Sequence, residues 1–210
     1  MKSLAFQTSA EVAAAIPRVV THLQGGGLLA YPTETVYGLG SRALHADVAA
    51  LAALKGRSAG KAVPLIAADH AQVVARFGAL APVADRLARA FWPGPLSLIL
   101  PATLELAVDV HGGAGTVAVR VPNHAVAQLL ARLFDYPLTA TSANFSGRMA
   151  TSHPDDVEAA LGDLVAVLVD AGPASGGPPS TIADVTGPAV RLVRAGAVAW
   201  DRVLRCLDEP

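Results

Sequence analysis

The chain is short of the residue types on which several large function classes depend. It has one cysteine, Cys206, so no internal disulfide can form and no cysteine-rich metal site can be built. That points to a reducing compartment, and Cys206 reads as a small apolar residue on a terminal helix. Charged residues make up only 16% of the chain and aromatic residues 5%, with a formal net charge of -1. Proteins that bind nucleic acid tightly through phosphate contacts are strongly basic. Those that stack single strands interleave aromatic with basic side chains, and neither pattern occurs here. RNA binding by this chain alone is therefore expected to be weak or absent. No apolar run approaches membrane-spanning length, and Gln7 and Glu11 interrupt the stretch a secretory leader would need. The expected location is cytoplasmic, with no membrane association.

Familiar catalytic signatures are missing too. There is no G-x-x-x-x-G-K-[ST] loop and no G-x-G-x-x-G after a strand, so the standard nucleotide cradles are unsupported. GRSAG (56–60) spells the nucleophile elbow, but a helix-like segment precedes it and a strand-like one follows, the reverse of what that turn requires. The six histidines show no metal-ligand spacing, so no protein metal site is expected.

What is present is a compact globular composition. Hydrophobic residues form 52% of the chain, and fifteen prolines and nineteen glycines imply many shaped loops. Residues 9–24 have helical spacing with Ser9 as N-cap and Pro17 as a kink point. Further helices are expected at 47–55, 81–92, 124–134, 154–162 (capped by Ser152) and 200–207. Apolar segments at 28–31, 63–67, 95–100, 116–121, 137–140 and 165–170 read as strands, and 180–185 with 190–194 as a hairpin. Interleaved strands and helices predict one α/β domain over 1–210, with a core at about 9–196 and a C-terminal helix at about 199–207. Adjacent strands near the end predict an open, twisted, mixed sheet with flanking helices.

Polar residues gather where these strands end. Thr33, Glu34 and Thr35 follow the first strand, and Lys55, Arg57 and Lys61 precede the second. Arg120 closes the strand at 116–121, Thr141, Ser142 and Asn144 follow PLTA, and Ser180 and Arg194 flank the hairpin. Each has a local explanation as a cap, a turn or a solvated charge. Together they suit a polyanion: Lys-x-Arg offers a point charge and a planar fork, and Ser-x-Asn a hydroxyl and an amide, at strand ends where α/β sheets bind ligands.

Seven segments carry a resemblance: YPTETVYGLG, LKGRSAGKAVPLI, FWPGPLSLIL, TVAVRVPNH, TATSANFSG, PSTIADV and VRLVRAG. In this order, from about residue 25 to 196, they resemble the YrdC-like family, the threonylcarbamoyl-AMP synthases, in its short form. The resemblance implies an open twisted fold with a large concave cavity. It implies a nucleotidyltransferase that joins L-threonine, bicarbonate or carbon dioxide, and ATP with Mg2+ into L-threonylcarbamoyladenylate and pyrophosphate. A separate complex would then transfer the threonylcarbamoyl group to the adenosine next to the tRNA anticodon.

By the same resemblance Lys55 and Arg57 are the catalytic pair, and Thr35, Arg120, Ala140 and Ser180 hold threonine. Arg57, Lys61, Thr116, Ser142, Asn144 and Arg194 contact ATP. Two departures stand out: Ser58 where family members carry proline, and Ala62-Val63 inserted before Pro64. Glu34 receives no role. The competing expectations are an RNA-binding module of the same fold without ATP turnover, and a carbamoyl-adenylating maturation domain. The latter normally sits in a longer, cysteine-bearing chain.

Overall fold

A computed structural model describes residues 1–56, 61–104, 106–134 and 136–208. In chain order the elements begin β1 (Lys2–Ala5), α1 (Ser9–Gln24), β2 (Leu29–Pro32), β3 (Tyr37–Gly40), α2 (His45–Leu54) and β4 (Leu65–Ile66). They continue α3 (His70–Phe77), α4 (Pro82–Phe91), β5 (Leu96–Pro101), α5 (Val108–His111), β6 (Thr116–Arg120) and α6 (Ala125–Leu133). The last are β7 (Leu138–Thr139), β8 (Thr141–Ser142), α7 (Pro154–Leu161), β9 (Val167–Asp170), β10 (Thr181–Asp184), β11 (Arg191–Arg194) and α8 (Trp200–Asp208).

The architecture is α/β, with mixed strand pairing divided between two sheets. Five strands run in the order β1-β9-β2-β3-β8 and six in the order β11-β10-β5-β6-β4-β7. β9 lies parallel to both β1 and β2, whereas β3 is antiparallel to β2 and β8. In the larger sheet β5 and β10 are parallel, β5 and β6 antiparallel, and β4 parallel to β6. The chain passes from one sheet to the other at Ala140, the single residue between β7 and β8. A buried knot fixes that crossing: Ser41 N–H donates to Thr139 Oγ1 (2.8 Å) and Thr139 N–H to Ser41 O (3.0 Å).

Strand alternation supplies two hydrophobic clusters. Leu65 of β4 packs with Leu39, Leu96, Leu98 and Val119, while the next residue, Ile66, packs with Val19, Leu23, Leu29 and Leu130. Both faces of such a strand are covered, so its sequence is apolar throughout rather than alternating.

Several expected boundaries shift for local reasons. Thr8, not Ser9, caps α1, because Thr8 is extended (φ -122, ψ 156) and Glu11 stands three residues on. Thr8 Oγ1 accepts from Glu11 N–H (3.3 Å) and Glu11 Oε2 from Thr8 N–H (2.8 Å), a reciprocal capping box. Pro17 lies inside one continuous helix whose buried stripe is Ala15, Val19 and Leu23. His153, not Ser152, occupies the N-cap position of α7, and it makes no side-chain cap bond. The expected strand at 63–67 is pared to β4, since Val63 N–H turns aside to Val110 O (2.7 Å). The inserted Val63 is thereby packed into the core, leaving Lys61 exposed.

Among the described residues five elements have no counterpart among the expectations: β1, β3, α3 (capped by Asp69), the short α5 and the two-residue β8. β3 is the instructive one. Its sequence, YGLG, carries the glycines of a loop, yet all four residues are buried. A Cβ on Gly40 would stand 2.6 Å from Tyr31 Cε1 and 3.0 Å from Thr139 O. The glycines are where the Tyr31 ring lies across the neighbouring strand. Among the described residues no helix is long and apolar enough to cross a membrane.

Candidate functional site

The β2–β3 connection explains why hydroxyls crowd behind Pro32. Thr33 and Thr35 are both buried, at 4% and 6% exposure. Thr33 Oγ1 donates to Val36 O (2.8 Å), accepts from Thr35 N–H (3.3 Å) and lies 3.1 Å from Thr35 Oγ1. A hydroxyl has one proton, and that of Thr33 is committed to Val36. Thr35 is therefore the donor within the pair, which leaves its lone pairs to accept from a ligand ammonium or hydroxyl.

Arg120 ends β6 and is 9% exposed. Its Nη1 donates to Glu34 Oε1 at 3.2 Å. Arg194, the last residue of β11, stands on the same six-stranded sheet, with β5 and β10 between the two strands. Its Nε and Nη2 both donate to Ser180 O (3.0 and 2.8 Å), and Nη2 also to Ser180 Oγ (2.9 Å). Ser180 Oγ lies 3.0 Å from Ser97 Oγ. Burial, and then the like charge of Arg120, lower the pKa of Arg194 from its usual value. Two guanidiniums thus sit close enough to repel, an arrangement a fold sustains where an anion is to be received.

The third wall is the loop after β7. Lys55, at the C-terminal cap of α2 and 7% exposed, sends its Nζ across to this loop. It donates to Ser142 O (2.5 Å), Asn144 Oδ1 (3.0 Å) and, at longer range, Ser142 Oγ (3.4 Å). Ser142 Oγ also donates to Asn144 Oδ1 (2.5 Å), and Asn144 Nδ2 to Arg148 O. Lys55 therefore ties the Ser-x-Asn turn to the helix.

These walls border an open cavity of about 540 Å³. Thr35, Arg120, Ala140, Ser142, Asn144, Ser180 and Arg194 all line it, from segments far apart in sequence. Lys55 is not among the lining residues and meets the cavity through the two it holds. Thr116 is at the opposite end of β6 from Arg120, roughly 13 Å away by strand rise. Lys61 is exposed, and neither it nor Thr116 is among the lining residues. Arg57 and Ser58 lie outside the described residues. Sequence reasoning passed over Tyr31, Ser97 and Arg148, which also line the cavity. Arg148 had a signal in its position four residues beyond Asn144, and Ser97 had none. Among the described residues no group of three or more His, Cys, Asp or Glu side chains is placed to hold a metal ion.

A family model covering Sua5, YciO and YrdC proteins, described as telomere recombination, matches residues 21–196. The chain belongs to the Sua5/YciO/YrdC family. Within that family, a putative threonylcarbamoyl-AMP synthase of Mycobacterium leprae is 39% identical over 194 residues, covering 91% of this chain and 87% of that protein. The threonylcarbamoyl-AMP synthase of Vibrio cholerae is 37% identical over 184 residues, 86% of this chain and 97% of that protein. Relatives this similar over most of the chain are named as synthases, and the chain is an enzyme of the Sua5/YciO/YrdC family. Pyrococcus abyssi Sua5, solved in complex with L-threonine, matches with a TM-score of 0.88 at 31% identity. The match covers 98% of this chain and 60% of that one, so this Sua5/YciO/YrdC chain spans about three fifths of that protein's length.

Proposed function

We propose that the enzyme forms L-threonylcarbamoyladenylate and pyrophosphate from L-threonine, bicarbonate or carbon dioxide, and MgATP. The observation that carries this reading is the pairing of Arg120 and Arg194 across a cavity whose other walls present hydroxyl and amide groups. One guanidinium suits the amino-acid carboxylate as a planar fork, and the other suits phosphate oxygens. Thr35 Oγ1, left as an acceptor by Thr33, suits the amine or hydroxyl of threonine. Ala140 and Ser180 border the same space, and Ser142 and Asn144 face the nucleotide.

The amine of threonine adds to carbon dioxide to give a carbamate and a proton. A carbamate oxygen then attacks the α-phosphorus of ATP, the bond to the β-phosphate oxygen breaks, and pyrophosphate leaves. No protein nucleophile is needed, because alignment and charge stabilisation supply the acceleration in such displacements. Magnesium arrives with the triphosphate as part of the substrate, as expected of an ion that keeps most of its water and takes few protein ligands. Lys55, Arg57, Lys61 and Thr116 are proposed to serve the triphosphate end, Lys55 by holding Ser142 and Asn144. Delivery of the threonylcarbamoyl group to the adenosine beside the tRNA anticodon falls to a separate transfer complex.

The test is to incubate the protein with ATP, magnesium, bicarbonate and single amino acids and to measure pyrophosphate. Threonine-dependent release that disappears without bicarbonate is expected. Absence of release under every combination refutes the reading.

A further inference from the structure

Glu34 is placed oddly for a residue between two cavity-facing threonines. It is not among the residues lining the cavity, yet its side chain is only 14% exposed. One carboxylate oxygen accepts from Arg120, and the other, Oε2, is buried with no hydrogen-bond partner. His124 Nδ1 is likewise buried without a partner, and the two groups are within electrostatic reach. A half-satisfied carboxylate in a desolvated position is a poor choice for stability alone. Its value lies in what it does to Arg120.

We propose that Glu34 is the positioning residue for Arg120, holding that guanidinium in the orientation that receives the substrate carboxylate. Arg194 is pinned by three hydrogen bonds to Ser180, whereas among the described residues the Arg120 guanidinium donates to Glu34 alone. When two like charges repel and one is fixed, the other moves. Glu34 supplies the opposing charge that keeps Arg120 in place, and a single contact through Nη1 leaves the remaining N–H groups for a two-pronged grip. An opposite effect also exists, since a second carboxylate near the site repels the first. Glu34 contacts the guanidinium without lining the cavity, so preorganisation is expected to win.

The inference rests on the proposed function for the identity of the carboxylate, but not for the orientation of Arg120, and the experiment separates the two. Glu34→Gln keeps shape and an acceptor while removing the charge. It should raise the KM for threonine about tenfold, the order expected for weakening one charge-assisted contact, with kcat and the KM for ATP near wild type. Glu34→Asp, which keeps the charge on a shorter arm, should fall between the two. In an Arg120→Lys background the Glu34→Gln effect should vanish, because it acts through Arg120. Independently of turnover, guanidinium 15N NMR of the ligand-free protein should show hindered rotation of Arg120 in wild type and its loss in Glu34→Gln. An unchanged or lowered KM for threonine, or Arg120 signals identical in the two proteins, overturns the proposal. A wild type without threonine-dependent pyrophosphate release sinks the functional reading, while the NMR comparison still decides whether Glu34 holds Arg120.

Discussion

Replacing Lys55 with methionine separates holding the Ser-x-Asn turn from touching the substrate. Among the described residues the ammonium donates to Ser142 O, Asn144 Oδ1 and, weakly, Ser142 Oγ. Methionine fills nearly the same volume and removes these hydrogen bonds. A hydrogen bond from a charged donor contributes about 1.5–3 kcal/mol net, but burying the ammonium at 7% exposure has its own desolvation cost. The two terms offset, so the melting temperature should fall by no more than about 5 °C. Turnover has no such offset. Losing one preorganised group at a phosphoryl-transfer site costs about 10²–10³ in rate, or about 3–4 kcal/mol. The assay is kcat/KM for threonine-dependent pyrophosphate release, alongside a thermal melt. Asn144→Ala supplies the second arm: if Lys55 acts by holding that turn, the double variant should be no slower than Lys55→Met alone. A Lys55→Met enzyme within about threefold of wild type refutes the role assigned to this residue. Effects of Lys55→Met and Asn144→Ala that simply multiply refute the claim that it acts through the turn.

Two further predictions concern the scaffold. Gly40→Ala drives a methyl to 2.6 Å from the fully buried Tyr31 ring, an overpacking that costs about 1–3 kcal/mol. It should lower the melting temperature, whereas Gly38→Ala, with its nearest contact at 3.3 Å, should do so less. Burial holds the His124 pKa below its usual 6.5, a pull that Glu34 partly opposes. On acidification the unfolded chain takes up this proton first, so stability is lost as pH falls from about 6.5 and levels off below the folded value. Melting temperatures across that range should drop in wild type and flatten in His124→Leu, and parallel slopes refute the assignment.

Legibility followed a physical line. Helices with a clear apolar stripe, such as α1 and α6, and largely apolar strands, such as β5 and β9, announce themselves through period and composition. β3 does not, because its glycines answer to a ring on a neighbouring strand rather than to local propensity. The division into two sheets was equally hidden: β7 and β8 have two residues each, too few to express a period. At the cavity, residue types at strand ends were readable, since motif and chemistry both reside in the local string. Their division of labour was not. Lys55 reaches Ser142 across 87 positions and Arg120 reaches Glu34 across 86. Whether a cation faces a ligand or is already committed to a neighbour is a property of those long-range pairs. The threonines make the same point at a separation of two. Which of Thr33 and Thr35 is left to accept from a ligand is decided by where Val36 O lies, and only the folded turn puts it within reach of Thr33.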